Sequence, residues 1–430
     1  QVMFDQCKAL IIGLQKRGAV VGSSLNTAYL LERLSQTLER LETLMAIFVS
    51  NRYLPRRILL LTGCFARAAA ERHSISRLWK QSSGLMARSV TQNAGDHGEH
   101  YITRDKKEYW AMFYSAAGGG VLIALMALFK TYLGSIIDDK VWKGIAEGLN
   151  YGLGFMVIFM LHFTVATKQP AMTAARFAEA VEKTPQGKSV NMKLAQLLVD
   201  VFRSQSIAVL GNVLIAMGLA ALIAFGYQYK TGEPLMNADQ IAYQLHSIDP
   251  FAGTLWFAAI AGVWLFCSGI ISGYFDNRSN YLNMRMRLAQ HPLLKKLMSE
   301  KTRVKFANYM HENYGSLIGN LCFGMLLGIT GVVGYLTHLP LDIRHVAFSS
   351  ANVGYIAVSG QFTYSLLLQC IGFVLLIGLV NLIVSFSLTL WVALRSLNAE
   401  IDSWWPIWHE VCQIVKKRPL SLFLPVQLDK

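Results

Sequence analysis

Charge is what this chain has least of. Only 15% of its 430 residues are Asp, Glu, Lys or Arg, against about 25% in soluble domains. Hydrophobic residues make up 53%, and the mean hydropathy is +0.36. That composition excludes a disordered chain and a charge-patterned coiled-coil rod. Six cysteines in 430 residues exclude a disulfide-rich secreted module. Acid is scarcer than base, 26 residues against 40, leaving a net charge of +14. An apolar chain with a basic remainder points to either a membrane or a nucleic acid as partner. Also missing are a Walker loop, a dinucleotide fingerprint, a zinc ribbon and a Gly-x-Ser-x-Gly elbow. Neither a cofactor nor a metal is therefore implied. The chain starts at Gln1 rather than Met, so a longer product is expected.

Long apolar runs are present instead. A helix needs about 20 apolar residues to cross a bilayer, and six stretches qualify: about 111–129, 149–167, 207–227, 255–275, 318–338 and 364–394. No Asp or Glu falls inside any of them. Lys and Arg fall on alternate sides of these runs. The region before the first run, 168–206, 276–317 and the segment from Arg395 together hold 35 of them. The intervening segments 138–148, 228–254 and 339–363 hold 4. By the positive-inside rule both termini are cytoplasmic. The expected fold is an all-α membrane protein of six transmembrane helices in three hairpins. Residues 1–105 form a cytoplasmic helical domain, 106–395 the transmembrane domain and 396–430 a cytoplasmic tail. The expected location is a membrane. The basic excess follows topology, so it needs no DNA to explain it. Cys7, Cys64 and Cys412 fall on the cytoplasmic side and Cys267, Cys322 and Cys370 within spans, so no structural disulfide is expected.

In the N-terminal domain Leu31, Leu34, Leu38, Leu41, Met45 and Phe48 step by three and four, which predicts a bundle helix or a short homo-oligomeric coiled coil. After Pro55, Ile58 to Met86 can form a basic amphipathic helix. Its Arg56, Arg57, Arg67, Arg72, Arg77, Lys80 and Arg88 suit anionic lipid headgroups or, alternatively, DNA phosphates. The Trp404-Trp405-Pro406-Ile407-Trp408 cluster reads as an interfacial anchor.

Polar residues inside a membrane are functional candidates. They are Lys130, His162, Asn212, Asn320, Gln369 and Asn381. Lys130 can snorkel to the outer interface, and His162 has no acid within a span to complete a proton relay. Gly211-Asn212 and Gly226-Tyr227 reappear as Gly319-Asn320 and Gly334-Tyr335. This suggests a same-direction duplication in which Asn212 and Asn320 pair the repeats. Gly118, Gly119, Gly120, Gly324, Gly328 and Gly331 are expected to let helix backbones approach closely. The outer loop from Leu339 to Ser350 brings Asp342, Arg344 and His345 together, as a structural or a re-entrant segment. Asp96-His97-Gly98-Glu99-His100 holds ligand types without a zinc spacing.

Three stretches resemble a known family. They are Thr103 to Trp110 with Ala116 to Gly120, Arg203 to Val213, and the Leu339 to Ser350 loop. The chain is similar, over about Tyr101 to Trp391, to bacterial multi-pass membrane proteins catalogued as site-specific recombinases, including the gonococcal crossover recombinase. The resemblance implies DNA strand exchange and a longer N-terminus. A tyrosine recombinase needs a Tyr nucleophile with Arg and His on the phosphate. Arg285, Arg287, His291, His311 and Tyr314 are the nearest cytoplasmic set, at a spacing unlike the tyrosine-recombinase pattern. Three functions stay open: a non-enzymatic membrane scaffold or passageway, alone or as a homo-oligomer; a membrane-anchored recombinase; and a transporter of a neutral or anionic solute.

Overall fold

The computed structural model describes residues 2–21, 25–49, isolated positions between 55 and 66, 102–166 apart from Arg104, a few positions between 173 and 181, 188–359, 362–397, and 401–425 apart from Asp402. Every regular element among the described residues is helical. The basic segment 67–88 and the 96–100 cluster lie outside the described residues.

The chain forms two compact units. The first comprises Gln1–Asn93, Gly273–Tyr314 and Arg395–Asn398. It opens with α1 (Val2–Val21) and α2 (Leu25–Val49), where Lys8 Nζ meets Glu42 Oε2. The expected apolar seam lies on α2, but Leu34, Leu41 and Met45 on it are each about half exposed.

The second unit comprises Ala94–Ser272, Gly315–Leu394 and Ala399–Lys430. Its helices are α3 (Lys106–Ile136), α4 (Lys140–Met160), α5 (Lys188–Thr231) and α6 (Ala238–Ile248). After a 3-10 turn at Pro250–Ala252 comes α7 (Thr254–Tyr281). Short helices α8 (Met284–Gln290) and α9 (Pro292–Leu297) belong to the first unit. Then follow α10 (Glu300–Thr337), α11 (Val346–Ala357), α12 (Tyr364–Leu397) and α13 (Trp405–Lys417), of which α10 up to Tyr314 and α12 from Arg395 are counted with the first unit, as is α7 from Gly273.

Five helices among the described residues are long and apolar enough to cross a membrane: Lys106–Ile136, Asn191–Thr231, Thr254–Tyr281, Glu300–Thr337 and Tyr364–Arg395. They contain five of the six expected runs. The remaining run, 149–167, coincides with α4 only as far as Met160. α4 starts earlier, at Lys140, and its first half carries Lys143, Glu147 and Asn150. It breaks at His162, whose φ is +58°. At 1.5 Å per residue α4 is about 31 Å long, yet it is too polar to join the other five.

Local capping explains several helix starts. Asp105 accepts from Glu108 N, and Asp139 from Val141 N and Trp142 N. Asn237 and Gln240 form a reciprocal capping box on α6. Packing then sets direction. α3 and α4 are antiparallel, with Asn150 Nδ2 on Met126 O and Gly134 beside Lys143. α4 and α10 are antiparallel and nearly touch at the backbone. A Cβ on Gly324 would lie 2.0 Å from Gly152 N, and one on Gly328 would lie 2.3 Å from Gly148 N. Only glycine allows this approach. α5 runs parallel to α3, with Gly211 against Ala116 and Gly120 against Ala216. α7 opposes α10, from Trp264 on Thr330 to Gly319 on Ser268. α11 is a 12-residue helix with ten buried residues. It packs on α5 through Gly354, and on α3 through Tyr355 Oη, which donates to Ala124 O at 2.7 Å.

Candidate functional site: a polar cavity at one end of the bundle

A cavity of about 480 Å³ lies among α3, α4, α6, the 339–345 loop and α11. Four of the sequence candidates border it. Lys130, Asp342, Arg344 and His345 are all in its wall. Glu147, Tyr151, Tyr243, Gln244, Ser349 and Asn352 join them.

On the α3–α4 wall, Lys130 Nζ stands 3.5 Å from Glu147 Oε2 and 5.6 Å from the Tyr151 ring centroid. The sequence placed Lys130 at the interface, snorkelling. Here it turns to a carboxylate one helix away. Glu147 was missed because it precedes the hydropathy-defined run. The usable signal was its place opposite Lys130 across a tight hairpin.

On the loop wall, Arg344 Nη1 bonds Asp342 Oδ2 at 2.6 Å and Ile343 O at 2.8 Å, and Arg344 Nε donates to Ser247 O at 2.8 Å. Its guanidinium lies 5.4 Å from the Phe257 ring. These bonds pin the loop to α6 and α7. His345 is buried among Phe155, Phe323 and Phe348, with ring centroids at 6.1, 5.8 and 5.7 Å. It borders the cavity as part of an aromatic wall. Formal charges in the lining balance: Lys130, Lys143 and Arg344 against Glu147, Asp239 and Asp342.

Behind the loop stands Asn381 of α12, fully buried. Its Nδ2 donates to Ala258 O at 2.7 Å and to Arg344 O at 3.0 Å, and its Oδ1 accepts from Val346 N at 3.2 Å. One amide thus joins α7, the loop and the start of α11, leaving none of its hydrogen-bonding atoms idle. Asn212 of α5, which is not part of the cavity lining, is tied in the same way. Its Nδ2 donates to Ala116 O and Thr164 O, at 2.5 and 2.9 Å, and its Oδ1 accepts from Ala166 N at 2.8 Å.

The other candidates fall elsewhere. Asn320 Nδ2 donates to Ser316 O within its own helix, so the expected pairing of Asn212 with Asn320 is not seen. Gln369 is exposed on α12. His162 ends α4, and its carbonyl accepts from Ser115 Oγ at 3.1 Å. Gly118, Gly119 and Gly120 face Phe163, Thr164 and Asn212, while Gly331 faces Asp342 Oδ1 at 3.9 Å rather than a helix.

The recombinase candidates lie in the first unit. His311 Nδ1 is 3.1 Å from Ser279 Oγ, and Tyr314 packs edge-on against Phe275 at 5.5 Å. Arg285, Arg287 and His291 are exposed on and after α8. No hydrogen bond or ion pair among the described residues joins these three to Tyr314. Among the described residues no group of three or more His, Cys, Asp or Glu could hold a metal ion. Cys7, Cys267, Cys322, Cys370 and Cys412 are free thiols.

Neither the curated proteins nor the solved structures offer a match to this chain. A family model does, over residues 1–425, and its description is site-specific recombinase. The chain, with its apolar helix bundle and polar cavity, belongs to the site-specific recombinase family.

Proposed function

We propose that this protein is a non-enzymatic passageway in a bacterial inner membrane, with six crossings and both termini cytoplasmic. The cavity then faces the outer side. One observation carries the reading: a 480 Å³ cavity lined by polar and charged side chains at one end of an apolar helix bundle, with Lys130 paired to Glu147 and Arg344 to Asp342. A polar chamber in an apolar bundle is expensive to build unless something polar enters it. Balanced charge favours a neutral, hydrogen-bonding solute, because a net-charged one would leave a buried charge uncompensated. Gln244, Asn352, Ser349 and Tyr243 supply donors and acceptors, and Tyr151 and Phe348 supply apolar faces.

Purified protein in liposomes should relax osmotic shrinkage severalfold faster than empty liposomes in at least one of a panel of polyols, sugars and amides. Rates equal to empty liposomes across the whole panel would sink the passageway.

The second reading is a membrane-anchored recombinase, which the family's description supports. It predicts salt-dependent DNA binding and a covalent adduct lost in Tyr314→Phe. No DNA binding at low salt would remove it. The surfaces available for lipid are the exposed Trp405 and Trp408 on α13 and the bundle's apolar outside. A homo-oligomer would be built on the same outside.

A further inference from the structure

Asn212 and Asn381 make the same three bonds in the same order. Each donates to a carbonyl on a preceding long helix, Ala116 or Ala258, and to a carbonyl in a chain break, Thr164 or Arg344. Each then accepts from the amide two residues beyond that carbonyl, Ala166 or Val346. The likeness extends outwards. Four residues after each helix acceptor comes a glycine, Gly120 or Gly262, where a Cβ would lie 2.8 or 3.0 Å from the carbonyl of the asparagine itself. The same two glycines meet Ile215 and Val384, each three residues past its asparagine. Ala116-Ala117-Gly118-Gly119-Gly120-Val121 is echoed by Ala258-Ala259-Ile260-Ala261-Gly262-Val263. Both breaks begin with a histidine at positive φ, His162 at +58° and His338 at +55°.

These matches align α3, α4 and α5 with α7, α10 and α12. The directions are opposite: α10 is parallel to α3, and α7 opposes α10. Aligning His162 with His338 pairs Gly152 with Gly328 and Gly148 with Gly324. The contacts Gly152–Gly324 and Gly148–Gly328 exchange into each other under that pairing. A twofold axis across the helices, through the α4–α10 crossing, does this. An axis along them cannot.

We infer that residues 106–231 and 254–397 are inverted-topology repeats, and that the protein is an alternating carrier rather than a fixed pore. The inference rests on the passageway reading. The two repeats are not identical in sequence. One residue separates His162 from Thr164, whereas five separate His338 from Arg344, and the longer break borders the cavity. Inverted repeats that rock against each other move the opening from one face to the other. The Asn212 and Asn381 networks hold the two breaks, and the glycine crossing is where one repeat rocks against the other.

The test places a reporter cysteine at Ser349 in a chain whose native cysteines are alanine, in oriented membrane vesicles. A charged, impermeant maleimide is added to one face at a time. Ser349→Cys should react from both faces. A second pair, Gly144→Cys with Val332→Cys, pins α4 to α10. A Cβ at Gly144 lies 3.5 Å from Val332 Cβ, within disulfide range. Oxidation should cut labelling from one face at least tenfold and spare the other, and reduction should restore it. Labelling from one face only, before and after reduction, overturns the inference, as does two-faced labelling that the disulfide leaves unchanged. The reporter alone decides the first point should the paired variant not fold. Labelling needs no solute. Two-faced, disulfide-sensitive labelling with no osmotic relaxation would therefore keep the alternating geometry and remove the passageway for neutral solutes.

Discussion

The environments of Asn212 and Asn381 differ in one respect. Around Asn212 the chain break is short: Thr164 comes two residues after His162, and Ser115 ties it to α3 through its hydroxyl and carbonyl. Around Asn381 the break has room for Leu339 to Ile343, and the Asp342–Arg344 pair is built there. The same clasp thus closes a compact break in one half and a polar, cavity-lining break in the other. Insertion into a shared framework adds chemistry without disturbing the helices that carry it.

The largest expected effect comes from removing either clasp. Asn212→Leu and Asn381→Leu should each cost on the order of 2–4 kcal/mol, because a buried amide N–H and two buried carbonyls lose a partner. Unfolding in mixed detergent micelles measures this, and a loss in only one of the two would break the equivalence. Next come the glycines behind the clasps. Gly120→Ala and Gly262→Ala should each destabilise by about 1–3 kcal/mol, since the new methyl meets backbone oxygen. Gly372→Ala, with nothing within 4 Å of its added Cβ, should be neutral in the same assay. The smallest effect on stability probes the difference between the halves. Arg344→Met removes a part-buried ion pair and should cost roughly 1 kcal/mol, while changing osmotic relaxation severalfold. Unchanged relaxation would separate the loop from solute passage.

Much of the bundle was readable from hydropathy, because five helices are apolar enough to announce themselves. Lys130, Asp342 and Arg344 were readable as polar groups in apolar surroundings, and the structure gathers them in one wall. Glu147 was not, since its helix is held by glycine contacts and not by its own hydropathy. The repeat was misread for a related reason. Gly211-Asn212 and Gly319-Asn320 match as letters, but Asn320 bonds within its own turn. Asn381 shares no such neighbour with Asn212. Its equivalence lies in which distant carbonyls it reaches, and unequal break lengths hide that from any constant offset. The α2 seam shows the opposite limit. Its spacing is regular, yet half of its surface stays exposed, so periodicity named a face without naming what covers it.

The glycine crossing of α4 also bears on how the protein is made. A charged residue at a helix centre costs about 2.5–3.5 kcal/mol at insertion, and the first half of α4 carries Lys143 and Glu147. Alone, α4 has little reason to remain in a bilayer. Lys130 of α3 is synthesised before it and stands 3.5 Å from Glu147 in the folded chain, so the two helices are expected to enter best as a hairpin. Gly324 and Gly328 emerge from the ribosome only much later. Until then the polar half of α4 has no helix lying against its glycines. The first repeat is therefore completed only when the second has been made.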